Sequence, residues 1–171
     1  SETSITLVDT LSSSGLIGSI SVQPSAQVTL GRPVSIQARV RNQGNAARNG
    51  NALRLRLLRA RDDASVAQRD VSVDLAAGAE HTMSLDLGAL ALELGSYRVQ
   101  LEARTAADAP DAYQLLAQGS VSVVDGLAPE VGIVSPAADA LLSLPARISA
   151  RIVDQHSEIA SAQVRIDNGE W

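Results

Sequence analysis

The stretch Val34-Ser-Ile-Gln-Ala-Arg-Val-Arg41 alternates between apolar and polar side chains along its whole length. Successive side chains of a β-strand point to opposite faces of the sheet, so this pattern predicts a strand with one buried face. The same pattern recurs in six further stretches, which are Ile20–Val22, Leu53–Leu57, Val71–Leu75, Met83–Leu87, Tyr97–Ala103 and a strand running from near Tyr113 to Val123. We therefore predict an all-β fold.

Turn-forming sequences such as Gly31-Arg-Pro33 and Asn49-Gly-Asn51 separate these strands. Seven short antiparallel strands within about 100 residues are typical of an immunoglobulin-like β-sandwich. Residues 86–94 also have helical propensity, but they are too few for a stable isolated helix. We assign them to a connection with at most one helical turn, and residues 60–70 to a polar loop.

An internal repeat predicts tandem sandwiches. Pro24 and Pro33 are nine residues apart, as are Pro136 and Pro145, and a shift of 112 residues superposes the two pairs. The predicted parts are residues 1–15, the last strand of a preceding module plus a linker; residues 16–125, one complete module; and residues 126–171, the first strands of a further, incomplete module.

The last part contains three predicted strands, Val131–Ser135, Arg147–Val153 and Ala162–Asp167. Three strands leave a sandwich core half covered. We therefore expect that the natural polypeptide continues past Trp171, or that a partner chain completes this sheet.

The composition excludes several classes of protein. The 171 residues carry a net charge of −5, 45% are hydrophobic, and there are no cysteines, three aromatic residues and two histidines. Thiol catalysis, disulfide scaffolds and thiolate or multi-histidine metal centres are therefore excluded. An acidic chain with few aromatic rings is a poor binder of nucleic acid. No apolar run approaches the roughly 18 residues that a membrane-spanning helix needs.

We predict no catalytic activity, because the sequence lacks the usual nucleophile, phosphate-binding and zinc-protease motifs. His156 lies between Asp154 and Glu158, but a polar loop explains this arrangement equally well. The adjacent acids Asp62 and Asp63 lie in an arginine-rich loop, where we expect them to pair with arginines.

Calcium is the one cofactor that the residue types allow, since carboxylate oxygens suit it. The candidate ligands are Asp125, Asp154 and Glu158. No fixed ligand spacing accompanies them, so ordinary turn residues are the simpler interpretation. No other cofactor is predicted.

Positive charge is concentrated in residues 32–69, which contain nine arginines and two acids, whereas the rest of the chain carries a net charge of −12. Alternation places Arg39, Arg41, Arg54 and Arg56 on outward faces. They form a candidate docking surface for an acidic glycan or an acidic neighbouring module. The simpler alternative is pairing with Glu102, Asp74 and Asp86 on neighbouring strands.

The segment SVQPSAQVTLGRPVSIQARVRNQGNA, Ser21 to Ala46, resembles bacterial immunoglobulin-like repeat modules of the CARDB-like class, the cell-adhesion-related domain found in bacteria. LELGSYRVQLEA, Leu92 to Ala103, resembles the sixth strand of many such sandwiches, and this implies that Tyr97 is a buried corner tyrosine. Residues 128–171 resemble the opening of another such repeat. The cysteine pair and third-strand tryptophan of antibody domains are missing.

The resemblance implies a non-catalytic repeat segment of a large secreted or cell-surface bacterial protein, serving as a spacer or stalk with an adhesive surface. The alternative is a set of accessory domains in a secreted enzyme or toxin whose catalytic domain lies outside residues 1–171. The expected partners are neighbouring modules of the same polypeptide and an acidic glycan or host or cell-surface ligand.

Overall fold

The computed structural model describes residues 15–88, 92–143 and 145–165, and all regular structure among them is β. The strands are β1 (Leu16–Gln23), β2 (Gln27–Thr29), β3 (Val34–Asn42), β4 (Arg48–Arg59), β5 (Ser65–Leu75), β6 (Glu80–Leu87), β7 (Gly95–Arg104), β8 (Gln114–Val124), β9 (Glu130–Ser135) and β10 (Ser149–Val153). None of these described residues belongs to a helix that could cross a membrane. The chain divides into a first unit that ends at Val124 and a second that begins at Asp125.

The first unit is a sandwich of two sheets. One sheet has the strand order β1-β3-β6, and the other has the order β2-β8-β7-β4-β5. The pairs are antiparallel except for β2, which runs parallel to β8 and faces it from Gln27 opposite Ser122 to Thr29 opposite Val124. All seven strands predicted from alternation are present. The sequence pattern missed β2, because three residues are too few to show a period of two.

The core of this unit is aliphatic and draws on both sheets. Its fully buried members include Leu16, Ile36, Val40, Leu53, Leu55, Leu57, Val99, Leu101 and Val121. The sheets approach closely at Gly18, where a β-carbon would lie 2.7 Å from Leu101 Cδ2 and 2.8 Å from Leu116 Cβ. A side chain at this position would therefore push the sheets apart.

Two connections were predicted from the sequence, and the structure describes the first in full and the second in part. The predicted loop 60–70 is wrong in its second half, because β5 begins at Ser65. This strand is at the edge of its sheet and most of its side chains are exposed, so backbone pairing with β4 stabilises it without a strong apolar pattern. In the predicted connection 86–94, residues 89–91 lie outside the described residues, and the others form no helical turn.

In the second unit, β9 pairs with β10 in the antiparallel sense, as β1 does with β3. Pro24 and Pro136, which the repeat superposes, both follow cis peptide bonds. The register differs by one residue, since Ile20 faces Ala38 whereas Ala150 faces Ile133.

The apolar side chains of this second unit are exposed. The accessible fractions of Val131, Ile133 and Val134 are 68%, 70% and 68%. Of the predicted third strand, residues 162–165 form no strand, and 166–167 lie outside the described residues, as do residues 1–14. The unit therefore has two strands in its described part and no closed core.

Candidate functional site

A row of long polar side chains crosses the outer face of the five-stranded sheet. Gln68 on β5 faces Arg56 on β4, Arg56 faces Gln100 on β7, and Gln100 faces Gln118 on β8. The neighbouring odd-numbered residues of β4 and β7 point into the core, so alternation directs this row to solvent. Four adjacent strands thus present three amides and one guanidinium in register.

Ion pairs fix the two arginines of β4 on this face. Arg54 Nε donates to Asp70 Oδ1 at 2.8 Å, and Arg56 Nη1 lies 3.6 Å from Glu102 Oε1. The bond with Asp70 raises the pKa of Arg54. Partial burial tends to raise the pKa of Asp70, but hydrogen bonds from Arg54 and Gln68 outweigh it, so that this pKa lies below its usual value.

The guanidinium groups of two arginines lie over the ring of Tyr113, next to this row. The Cζ atoms of Arg54 and Arg104 lie 3.9 Å and 5.7 Å from the ring centroid, within the range of cation–π contacts. Arg104 forms no ion pair with a described residue, and its Nε is buried without a hydrogen-bond partner there. The nearby Asp108 carboxylate instead accepts hydrogen bonds from the backbone and hydroxyl of Thr105, at 2.8 and 2.7 Å.

The four arginines predicted as a docking surface lie on two different sheets. Arg39 and Arg41 are on β3, where each pairs with Glu80 of β6, at 3.6 and 3.8 Å. Arg54 and Arg56 are on β4 in the other sheet. The docking role itself stays a prediction.

Of the three acids named as alternative partners for these arginines, one forms an ion pair with an arginine and two accept hydrogen bonds from other groups. Glu102 does pair with Arg56. Asp86 accepts a hydrogen bond from the Ser35 hydroxyl, and Asp74 accepts one from the backbone of Gly50. Most arginine pairing on these strands therefore uses acids that the sequence pattern did not single out.

The three calcium candidates Asp125, Asp154 and Glu158 line one shallow pocket of the second unit. Asp125 Oδ1 accepts from the backbone of Leu127 at 3.0 Å. Asp154 Oδ1 accepts from the backbone of His156 and Ser157, at 2.8 and 3.0 Å, and these bonds lower the pKa of Asp154. Among the residues that the structure describes, no three acids, histidines or cysteines form a group that could hold a metal. Calcium binding stays a prediction.

The loop acids Asp62 and Asp63 are engaged by arginines. Asp62 Oδ2 lies 3.2 Å from Arg59 Nη1 and 3.7 Å from Arg61 Nε, and Asp63 pairs with Arg98. The hydrogen bond from the backbone of Ala64 is the main cause that lowers the pKa of Asp62, and both arginines add to it.

The ring of Tyr97 is 3% exposed and lies in the core. Its hydroxyl donates to the carbonyl oxygen of Glu93 at 2.8 Å and accepts from the Glu93 backbone N–H at 2.9 Å. One side chain therefore packs in the sandwich and also fixes the segment that leads into β7.

No family model matches the chain, and no curated protein matches it. Among solved structures, it is similar to the CARDB domain of the PF1109 protein from Pyrococcus furiosus, solved in complex with di-metal ions, with 17% identity over 72% of this chain and 95% of that chain and a TM-score of 0.48. It is also similar to the C-terminal domain of wzt, with 10% identity over 66% of this chain and 75% of that chain and a TM-score of 0.48.

A β-glucosidase from Erythrobacter marinus is similar over 64% of this chain but only 15% of its own, with 15% identity and a TM-score of 0.42. A CARDB domain, the class that the sequence resembles, is among the solved structures to which the chain is similar.

Proposed function

We propose that the first unit is a non-catalytic, load-bearing module in the spacer or stalk of a larger secreted or cell-surface bacterial protein. The observation that supports this is the parallel pairing of β2 with β8. The first of these strands is near the start of the unit and the second is its last strand. The second strand of the unit is therefore hydrogen-bonded directly to its last strand.

This pairing suits a module that is pulled at both ends. Tension that is transmitted through β1 draws β2 and β8 in opposite directions along their own axes, so all hydrogen bonds between them are loaded together. Two bonds extend the pair beyond its ladder, from Ser122 N to the carbonyl oxygen of Ala26 at 2.7 Å and from Leu30 N to that of Val124 at 2.9 Å. A pair opened from one end would instead lose its bonds one at a time.

The second unit supports a tandem arrangement. Its strands β9 and β10 correspond in sequence and in pairing to β1 and β3, and its apolar side chains are exposed. A two-stranded sheet is marginal in water, and further strands would cover these side chains. We propose that residues from Asp125 onward begin another module of the same kind.

Single-molecule force spectroscopy tests the load-bearing role. The chain has no cysteine, so handles can be attached at the N-terminus and at an Asp125→Cys thiol. Such handles would load β1 against β3 and, through β1, β2 against β8. We expect one discrete event that lengthens the chain by roughly 350–400 Å.

The matched control uses an Asp111→Cys thiol, at an exposed position shortly before β8. Both handles then pull on the same end of the β2–β8 pair, so its bonds break in sequence. We expect a clearly lower unfolding force for this attachment. Equal forces in the two geometries, or gradual extension without a discrete event, would contradict the load-bearing proposal.

A further inference from the structure

We propose that the outer face of the five-stranded sheet binds an acidic polysaccharide whose sugars carry carboxylates. This binding function goes beyond the spacer role and does not depend on it. The face is defined by the row Gln68, Arg56, Gln100 and Gln118 together with the adjacent cluster Arg54, Tyr113 and Arg104.

The row suits the hydroxyl groups of a sugar chain. Side-chain amides both donate and accept hydrogen bonds, as hydroxyls do, so Gln100 and Gln118 can match either role of a hydroxyl. Adjacent strands are about 4.8 Å apart, which is close to the repeat of pyranose units in an extended polysaccharide. Successive side chains of the row can therefore meet successive sugars.

The cluster suits the carboxylates. Arg54 and Arg56 form ion pairs with Asp70 and Glu102, whereas Arg104 forms none with a described residue. The charge of Arg104 acts on the neighbouring Asp108, but the hydrogen bonds that this carboxylate accepts come from Thr105. The Nε of Arg104 is buried, so a carboxylate on this face would bind its two terminal nitrogens through two parallel bonds. Tyr113 holds Arg54 and Arg104 beside one ring, so a carboxylate reaching Arg104 also meets a second cation.

The face favours a glycan over an acidic peptide. Peptides bind folded domains mainly by adding a strand to a sheet edge or by placing apolar anchors in a groove. Inner strands β4 and β7 have neighbours on both sides, so their backbone groups are already paired, whereas β8 pairs with β2 only at Ser122–Val124. The face therefore offers polar side chains alone, which match hydroxyls and carboxylates rather than a peptide backbone.

Isothermal titration of the whole chain with polygalacturonate tests the proposal, with neutral dextran and poly-glutamate as comparison polymers. We expect binding to polygalacturonate that weakens steeply as salt rises, and much weaker binding to both other polymers. Arg104→Gln should reduce the affinity about tenfold, because it removes a charge-assisted pair of hydrogen bonds. Gln100→Ala should reduce it severalfold.

The matched control is Arg39→Gln with Arg41→Gln, which removes two charges from the other sheet and should leave the affinity nearly unchanged. Thermal unfolding verifies that each variant is folded, and amide chemical-shift changes on titration should concentrate in β4, β7 and β8. Equal losses in the control would overturn the proposal, as would equal binding to poly-glutamate, shifts on another surface, or no binding to polygalacturonate.

Discussion

The side-chain amide of Asn42 donates a hydrogen bond to the carbonyl oxygen of Leu75, with a nitrogen–oxygen distance of 3.1 Å. Asn42 ends β3 in the three-stranded sheet and Leu75 ends β5 in the other, so one side chain joins the two sheets. Its nitrogen also lies 2.8 Å from the Ala46 oxygen and 3.1 Å from the Ala76 oxygen, and its oxygen accepts from Gly44 N at 3.0 Å. The side chain is fully buried with every polar atom satisfied.

Replacing Asn42 with Ala should destabilise the first unit by about 2–4 kcal/mol, because it leaves buried carbonyl and N–H groups without partners. Urea unfolding at pH 7 measures this change. Asn49→Ala is the matched control, since Asn49 is exposed in β4 and should change the free energy of unfolding by less than about 0.5 kcal/mol. Similar effects of the two substitutions would show that Asn42 does not hold the sheets together.

Tyr97→Ala should cost about 3–5 kcal/mol, because it removes a large ring from the aliphatic core. Tyr97→Phe keeps the ring and loses only the two hydrogen bonds with Glu93, so we expect a smaller loss of about 1–2 kcal/mol. Chemical denaturation of the three proteins gives both values. A loss below about 1 kcal/mol for the alanine variant would contradict the core role of this residue.

Gly18→Ala should destabilise the sandwich by about 1–3 kcal/mol, since its new methyl group would overlap Leu101 and Leu116 across the two sheets. Gly88→Ala is the comparison, because no described atom lies within 4 Å of a β-carbon at Gly88. Thermal unfolding of both variants measures the difference. If Gly18→Ala were neutral, the sheets would have more room at this point than the structure shows.

The pair Arg54–Asp70 should make stability depend on pH in the acid range. The pKa of Asp70 is lower in the folded chain than its ordinary value of about 3.9, so the pair stabilises the fold above that value. This contribution is lost as the pH falls through the lower, folded-state pKa. Because the pair is partly exposed, the effect is small.

We expect Asp70→Asn to reduce the loss of stability between pH 5 and pH 2, measured by urea unfolding at several pH values. Arg54→Leu should reduce it in the same way, and the double variant should show little further change. Additive effects of the two substitutions would mean that Asp70 does not act through Arg54.

The strands of the first unit were predictable because each buries one face, and alternation is visible in a single sequence. The three-residue strand β2 was not, since its place is fixed by pairing with β8, which lies nearly 100 residues away in the chain. The close approach at Gly18 and the burial of Asn42 also depend on segments distant in sequence. Contacts between distant segments cannot be predicted from local sequence patterns.

Less of the candidate site was predictable. Alternation correctly placed Arg54 and Arg56 on an outward face, and their strand is in a different sheet from that of Arg39 and Arg41. The partners of Arg54 depend on strand register, which brings Asp70 opposite it. Tyr113 lies just before β8, where no periodicity indicates the direction of its ring. Its contacts with Arg54 and Arg104 are therefore visible only in the folded structure.

The modular organisation, on which the spacer proposal depends, is tested most directly by hydrogen exchange across the whole chain. A self-sufficient sandwich up to Val124 should give strong amide protection in β3, β4 and β7, whereas two strands with exposed apolar side chains should give weak protection after Ala128. Equal protection of both regions, in a protein shown to be a monomer, would mean that the second unit folds unaided and would contradict the account.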